Sequence, residues 1–222
     1  MSTDAVIKPD FAAKGRHFIF SDEHEQLRES IRNFARKELA PHAEEWEETT
    51  FPDWVFRRMG ELGFLGLTYP EEYGGQGGDY YSGLILGEEL GESHSGGLVM
   101  GVAVHTDMAN PPILKFGTEE QKQRYIVPAI KGEKIACLGI TEPDAGSDVA
   151  GIKTRAVRDD DGWVINGSKT YITNGHRADY IVLVTKTDPE AGYDGFTLFI
   201  VDMDLPGVIR EKKLEKLGMH AS

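Results

Sequence analysis

From Ser21 onward, apolar residues recur every three or four positions: Leu27, Ile31, Phe34, Ala35 and Leu39. That spacing lines one face of a helix and predicts a buried stripe along it. Ser21 stands where a helix cap belongs, and Asp22 and Glu23 complement the positive end of the helix it would open. Pro41 interrupts the pattern. A second helix is predicted from near Pro52 through Trp54, Val55, Met59 and Leu62 to Gly63. Residues 68–78 read as a loop, because Pro70, Gly74, Gly75, Gly77 and Gly78 deny them regular structure. Residues 79–105 read as two more helices. The second, around Leu98–Val104, is apolar almost all round with small Gly101 and Ala103 among large neighbours, and belongs in a core. Thr118 and Gln121 form a capping box for a last helix that ends near Gly132.

Beyond Gly132 the period changes to strands. Residues 135–140, 163–165, 169–172, 180–185 and 195–201 carry strand character, with Asp161-Gly162 and Asn166-Gly167 as hairpin signals. Short strands joined by tight turns predict a small barrel or sandwich. The fold class is therefore α+β. We expect an arm over residues 1–20, an all-α domain over 21–132 and a small β-barrel domain over 133–222.

The chain has 222 residues and a net charge of −13, which argues against nucleic acid or an anionic membrane as partner. Cys137 is the single cysteine, so no internal disulfide forms, and its place in an apolar run suits a buried structural thiol. No apolar run is long enough to cross a bilayer, and the first residues lack the features of a signal or transit peptide. A cytoplasmic location is the expectation. The glycine-rich loop has no preceding strand and no Lys-Ser/Thr pair, so it reads as a sharp connection rather than a phosphate cradle. The seven histidines show no metal-ligand spacing, and no metal is expected. Glu88 and Glu89, adjacent on a helix, read as surface charges.

Candidate chemistry gathers where the strand at 135–140 breaks into a polar turn, Thr141-Glu-Pro-Asp-Ala-Gly-Ser-Asp148. Such a break presents backbone N–H groups and hydroxyls to a ligand. A second unusual stretch follows about twenty residues on: Asn166-Gly-Ser-Lys-Thr-Tyr-Ile-Thr-Asn-Gly175. Read as residues alone, Thr141 and Thr173 could equally satisfy strand-end backbone groups, and Ser147 could be an ordinary turn residue. Glu142 and Asp148 read as structural carboxylates, with Asp148 ordering the turn, and Lys169 as a solvated or ion-paired strand residue.

The run Gly139–Asp148 and the run Asn166–Gly175, in this order and at this spacing, resemble the two signatures of the acyl-CoA dehydrogenase family. The likeness extends through Glu71-Glu-Tyr-Gly-Gly75, Gly87-Glu-Glu-Leu90, Gly117-Thr-Glu-Glu-Gln-Lys122 and Lys216-Leu-Gly-Met219. It implies an FAD-dependent enzyme that desaturates an acyl-CoA thioester and passes electrons to an electron-transferring flavoprotein. It also implies a homo-oligomer, dimeric or tetrameric in the full-length protein. By this resemblance Leu138, Gly139, Ile140 and Thr141 lie along the flavin, Tyr171, Ile172 and Thr173 form its second contact, and Ser147 meets cofactor and the CoA arm. Many members carry Trp where this chain has Tyr171. The helix around Leu98–Val104 would border the acyl pocket.

The same resemblance places the catalytic glutamate, and the arginines that hold flavin pyrophosphate, in a C-terminal helical domain beyond Ser222, so no catalytic base is expected among these residues. An acyl-CoA oxidase or flavin monooxygenase of the same fold is one alternative. A truncated chain that only binds flavin or acyl-CoA is the other.

Overall fold

The computed structural model describes residues 17–222, so most of the expected arm lies outside the described residues. Helix α1 (Asp22–Phe34) is capped by Ser21, whose Oγ accepts from the His24 N–H at 3.2 Å. His24 Nδ1 accepts from the Ser21 N–H in return, at 3.1 Å. The helix runs on through a π-helical turn, Ala35–Leu39. Ile31, Phe34, Ala35 and Leu39 are buried in one core cluster, as their spacing predicts, with Leu27 packed beside them. Past Pro41 come α2 (Ala43–Glu48) and α3 (Trp54–Glu61), the latter followed by left-handed Gly63. Asp79 caps α4 (Tyr80–Leu90) and Ser95 caps α5 (Gly96–Ala103).

Glu89 departs from the surface reading. Only 3 % exposed, it accepts from Arg28 at 2.8 Å and from both the Nε and a terminal nitrogen of Arg32 at 2.7 and 2.8 Å. Two arginines one turn apart on α1 reach across to α4 and satisfy the carboxylate, so it can be buried. Glu88 remains exposed and meets Arg28 at 2.7 Å.

Helix α5 passes into a π-helical turn, Val104–Ala109, and then α6 (Asn110–Phe116). The Thr118–Gln121 capping box opens α7 (Glu119–Gln121), and α8 (Val127–Ile130) ends the helical part. Gly132 turns the chain at φ 70°, where an added Cβ would stand 2.1 Å from the Phe56 carbonyl oxygen. Only glycine fits there.

Strands β1 (Ala136–Gly139), β2 (Arg155–Asp159), β3 (Gly162–Asn166), β4 (Tyr180–Lys186) and β5 (Phe196–Asp202) form one mixed sheet. β4 has antiparallel β5 along one edge over its whole length. Its other edge takes parallel β1 and then, at Lys186, β2, which pairs with β3 as a hairpin. Among the described residues the sheet stays open and is not the expected barrel. Residues 169–172, expected as a strand, are the reason: Tyr171 is left-handed at φ 57°, and the segment makes no ladder. The Asn166-Gly167 signal therefore closes no second hairpin. β2 was not legible from its alternation, because only Ala156 of its residues is buried.

The two halves share a core. Tyr69, Ala109, Ile113, Tyr125, Ile126 and Ile130 pack against Ala136, Tyr180 and Val182. At its centre His105, in the π-helical turn, accepts from the Ala136 N–H through Nδ1 at 3.0 Å. Its Nε2 must then carry the proton, donated to the Ala129 carbonyl at 3.0 Å. Burial lowers the affinity of this ring for a second proton to about pKa 4, from 6.5. Between pH 6.5 and about 4 the unfolded chain therefore holds a proton that the folded chain does not. Stability should fall as pH drops through that window, by up to about 1.4 kcal/mol per pH unit. Urea melts across that range should show a smaller slope in His105→Gln; an unchanged slope would refute the assignment.

The last described residues fold back on the helices. Ala221 is fully buried in the first core, and its carbonyl accepts from the Phe51 N–H at 3.2 Å and the Thr50 hydroxyl at 2.8 Å. Glu47 accepts from the Ser95 hydroxyl at 2.7 Å and the His220 N–H at 2.7 Å.

Candidate functional site

Successive residues of a strand turn their backbone groups to opposite edges. The Ile135 carbonyl bonds toward β4, at the Asp179 N–H (2.8 Å), so the groups of Ala136, Leu138 and Ile140 face the outer edge of β1. The segment that should have been a strand runs along that edge and touches it only at its ends. Asn174 Nδ2 reaches the Ala136 carbonyl at 3.4 Å, Lys169 Nζ donates to the Ile140 carbonyl at 2.9 Å, and the Thr170 N–H donates to Thr141 at 2.9 Å. Between these ties Tyr171, Ile172 and Thr173 make no hydrogen bond to the strand, leaving an open stretch, or bow, along its edge. The backbone N–H and C=O of Leu138 lie opposite the bow, where no described group bonds them.

The sequence-predicted residues therefore come together as two facing stretches, 138–141 and 171–173. Leu138, Ile140, Thr141, Ile172 and Thr173 are half-buried, and Gly139 is buried because a Cβ there would meet Ile181 at 2.7 Å. Leu138 packs toward the helical half and Ile140 toward Ile152 and Val184, whereas Ile172 packs on the other face of the sheet against Cys137 and Ala178. Among the described residues the hydroxyls of Thr141 and Thr173 have no hydrogen-bond partner. The Tyr171 ring is 74 % exposed, and its left-handed backbone is a strained choice for an aromatic residue. Cys137, behind the strand, is fully buried, and burial pushes its thiol up to about pKa 12, so it stays protonated and inert.

Ser147 stands apart. It is exposed between the Glu142–Ala145 turn and the helical turn Val149–Gly151, and no hydrogen bond joins it to the Tyr171 bow. The Asp148 carbonyl accepts from the Gly151 N–H at 3.0 Å, so its backbone orders the turn and its carboxylate stays in solvent.

One of the ties to β1 is anchored by a buried ion pair. Lys169, in a loop and not a strand, meets Glu142 at 2.8 Å, with side-chain exposures of 7 % and 5 %. Glu142 also accepts from the Lys153 N–H (2.6 Å), the Thr154 N–H (3.0 Å) and the Thr154 hydroxyl (2.5 Å). Burial alone would raise its pKa, but these donors hold it down at about 2. Burial also loosens the proton on Lys169, and Glu142 opposes that loss. The carboxylate's four donors keep the pair charged. For Lys169 the residues alone leave ion pairing as one of two options, and no motif singles out Asn174 or His105. The one available signal was that Asn174 can adopt the left-handed backbone it shows at φ 66°.

Residues 21–133 match the acyl-CoA dehydrogenase N-terminal domain, and residues 137–222 match the acyl-CoA dehydrogenase middle domain. The chain belongs to the acyl-CoA dehydrogenase family. A mitochondrial isovaleryl-CoA dehydrogenase from Solanum tuberosum is 41% identical over 97% of this chain and 53% of its own length. The solved acyl-CoA dehydrogenase of Geobacillus kaustophilus superposes with a TM-score of 0.88 at 42% identity, covering 92% of this chain and 54% of that one. An acyl-CoA dehydrogenase from Bacillus anthracis, solved in complex with FAD, gives a TM-score of 0.84 at 35% identity over 91% of this chain and 34% of that one. The chain spans about half the length of the curated acyl-CoA dehydrogenases it matches, at 53%, 52% and 54% for three of them. Like them, it places a helical part before a mixed sheet.

Proposed function

We propose that this chain supplies the helical and sheet layers of an FAD-dependent acyl-CoA dehydrogenase, which desaturates an acyl-CoA thioester between its α and β carbons. The observation that carries this reading is the bowed edge of β1. Free backbone groups at Leu138, the unpartnered hydroxyls of Thr141 and Thr173 and a row of half-buried apolar side chains suit a flat heterocycle with one polar rim. FAD, when bound, supplies the hydride acceptor that no side chain provides. Thr141 and Thr173 would bond its polar rim, while Leu138, Ile140 and Ile172 exclude water from it. Ser147, on the exposed turn, would meet the cofactor's rim and the CoA arm.

The α proton needs a base, and the carboxylates nearest to suspicion are spoken for. Glu89 is locked by two arginines, and Glu142 is held as an anion by four donors. By the resemblance to the acyl-CoA dehydrogenase family, the proposed base is a glutamate of a C-terminal helical domain. The exposed Tyr171 ring supports a protein partner meeting the cofactor side, and an electron-transferring flavoprotein is the proposed acceptor.

In the complete protein, adding acyl-CoA without oxygen should bleach the oxidised flavin in a stopped-flow trace. No bleaching at any chain length would overturn the reading, and rapid peroxide formation in air would redirect it to an oxidase.

A further inference from the structure

We propose that Asn174 is a positioning residue for this site, setting the distance between the flavin-facing edge of β1 and the apolar wall made by α5; this rests on the function proposed above. Asn174 is 4 % exposed and left-handed at φ 66°. Its Nδ2 donates to the Gly101 carbonyl on α5 at 2.8 Å and reaches the Ala136 carbonyl on β1 at 3.4 Å. One amide group thus spans a helix and a strand that come from different halves of the chain.

The helix end of that span is unusual. Gly101 lies where α5 changes into the π-helical turn Val104–Ala109, and the Val104 N–H is shared between the Gly101 and Met100 carbonyls. At the edge of this widened turn the Gly101 carbonyl accepts the Asn174 amide in addition to its share of the Val104 N–H. The same widened turn carries His105, which holds the Ala136 N–H at 3.0 Å. Ala136 is thus gripped on its N–H by the helix and on its C=O by Asn174. The fit is close: a Cβ on Gly101 would stand 3.1 Å from Asn174 Oδ1 and 2.8 Å from the Phe51 ring. Among the described residues Asn174 Oδ1 itself is buried with no hydrogen-bond partner. A side chain kept in place with one polar atom unsatisfied, on a strained backbone, is costly for packing alone. Asn174 also ends the bow, directly after Thr173, and its carbonyl accepts from the Arg177 and Ala178 N–H groups at 2.9 and 2.8 Å. Moving Asn174 therefore moves Thr173 relative to α5.

The test uses the complete holoenzyme and the variant Asn174→Gly, which tolerates the left-handed backbone and removes only the amide. The readouts are the visible spectrum of the bound flavin, and kcat/KM over a series of straight-chain acyl-CoA esters from short to long. We expect kcat/KM to fall about tenfold or more on the best ester, the ratio between long and short esters to change at least threefold, and the flavin band to shift. A lower Tm with an unchanged ratio and spectrum would mean that Asn174 only packs, and would overturn the proposal. Should the glycine variant fail to accumulate, Gly101→Ala pushes on the same amide from the other side and must move the same ratio and band. Wild-type protein that no acyl-CoA bleaches would instead sink the functional reading itself, so the two failures are distinguishable.

Discussion

Replacing Glu142 with alanine is expected to remove about 3–5 kcal/mol of stability, because it leaves a buried lysine with no counter-charge. Lys169 is 7 % exposed and its remaining bond is to the Ile140 carbonyl, so it cannot turn to water without releasing the edge of β1. The loss also strips the Lys153 and Thr154 N–H groups of their acceptor. Urea unfolding of the wild type and Glu142→Ala measures the effect, and Lys169→Met with the double variant completes a cycle. The double variant should be more stable than the sum of the single losses predicts, since it buries no lone charge. A single-variant loss under about 1 kcal/mol, the range of exposed pairs, would contradict the buried geometry. The pH dependence has a definite sign. The folded pKa of Glu142, about 2, lies below its ordinary 4.5, so its contribution is fully present above pH 4.5 and fades as pH falls toward 2. This window overlaps that of His105 only between about pH 4 and 4.5, so the two can be separated in one titration.

The second large effect should fall on chemistry rather than stability. Thr173→Val keeps the shape and β-branching of the side chain and deletes the hydroxyl at the end of the bow. In the complete enzyme the rate of flavin bleaching by acyl-CoA is expected to fall about 10²-fold, the scale for losing one aimed donor at a site of developing charge. Unfolding free energy should stay within about 0.5 kcal/mol, since the hydroxyl has no described partner to lose. Stopped-flow bleaching and a urea melt on the same preparation test both halves. A bleaching rate within a factor of two of wild type would remove Thr173 from the cofactor contact.

The helices were legible because their signals are local. The stripe Ile31–Leu39, the Ser21 cap and the Thr118–Gln121 box each sit within one or two turns and appear as read. β4 and β5 were legible too, as continuous apolar runs. What misled was a segment whose composition is that of a strand and whose partners are far away. Lys169–Ile172 would ladder onto β1 but for a lysine drawn to Glu142, 27 residues earlier, and an asparagine drawn to Gly101, 73 residues earlier. Neither attraction leaves a periodic trace. Glu89 escaped for the same reason, its arginines lying 57 and 61 residues before it. The candidate site was readable as a set of residues from its two motifs. That the motifs enclose a bow, tied to β1 by an ion-paired lysine at one end and an amide at the other, needed the fold.

The docking of Ala221 beside Phe51 bears on how the chain is made. A ribosome delivers residues 21–133 first, yet the cluster around Ile31, Phe51 and Phe56 is completed by a side chain that emerges some 170 residues after Phe51. During that interval the Phe51 N–H and the Thr50 hydroxyl lack their acceptor, and the Glu47 carboxylate lacks the His220 N–H. The nascent helical layer must wait, part of its core wet, while the entire sheet is synthesised. Chaperone dependence and misfolding should therefore persist until residue 221 has emerged, and a ribosome stalled before residue 221 should present a helical layer that proteases still cut.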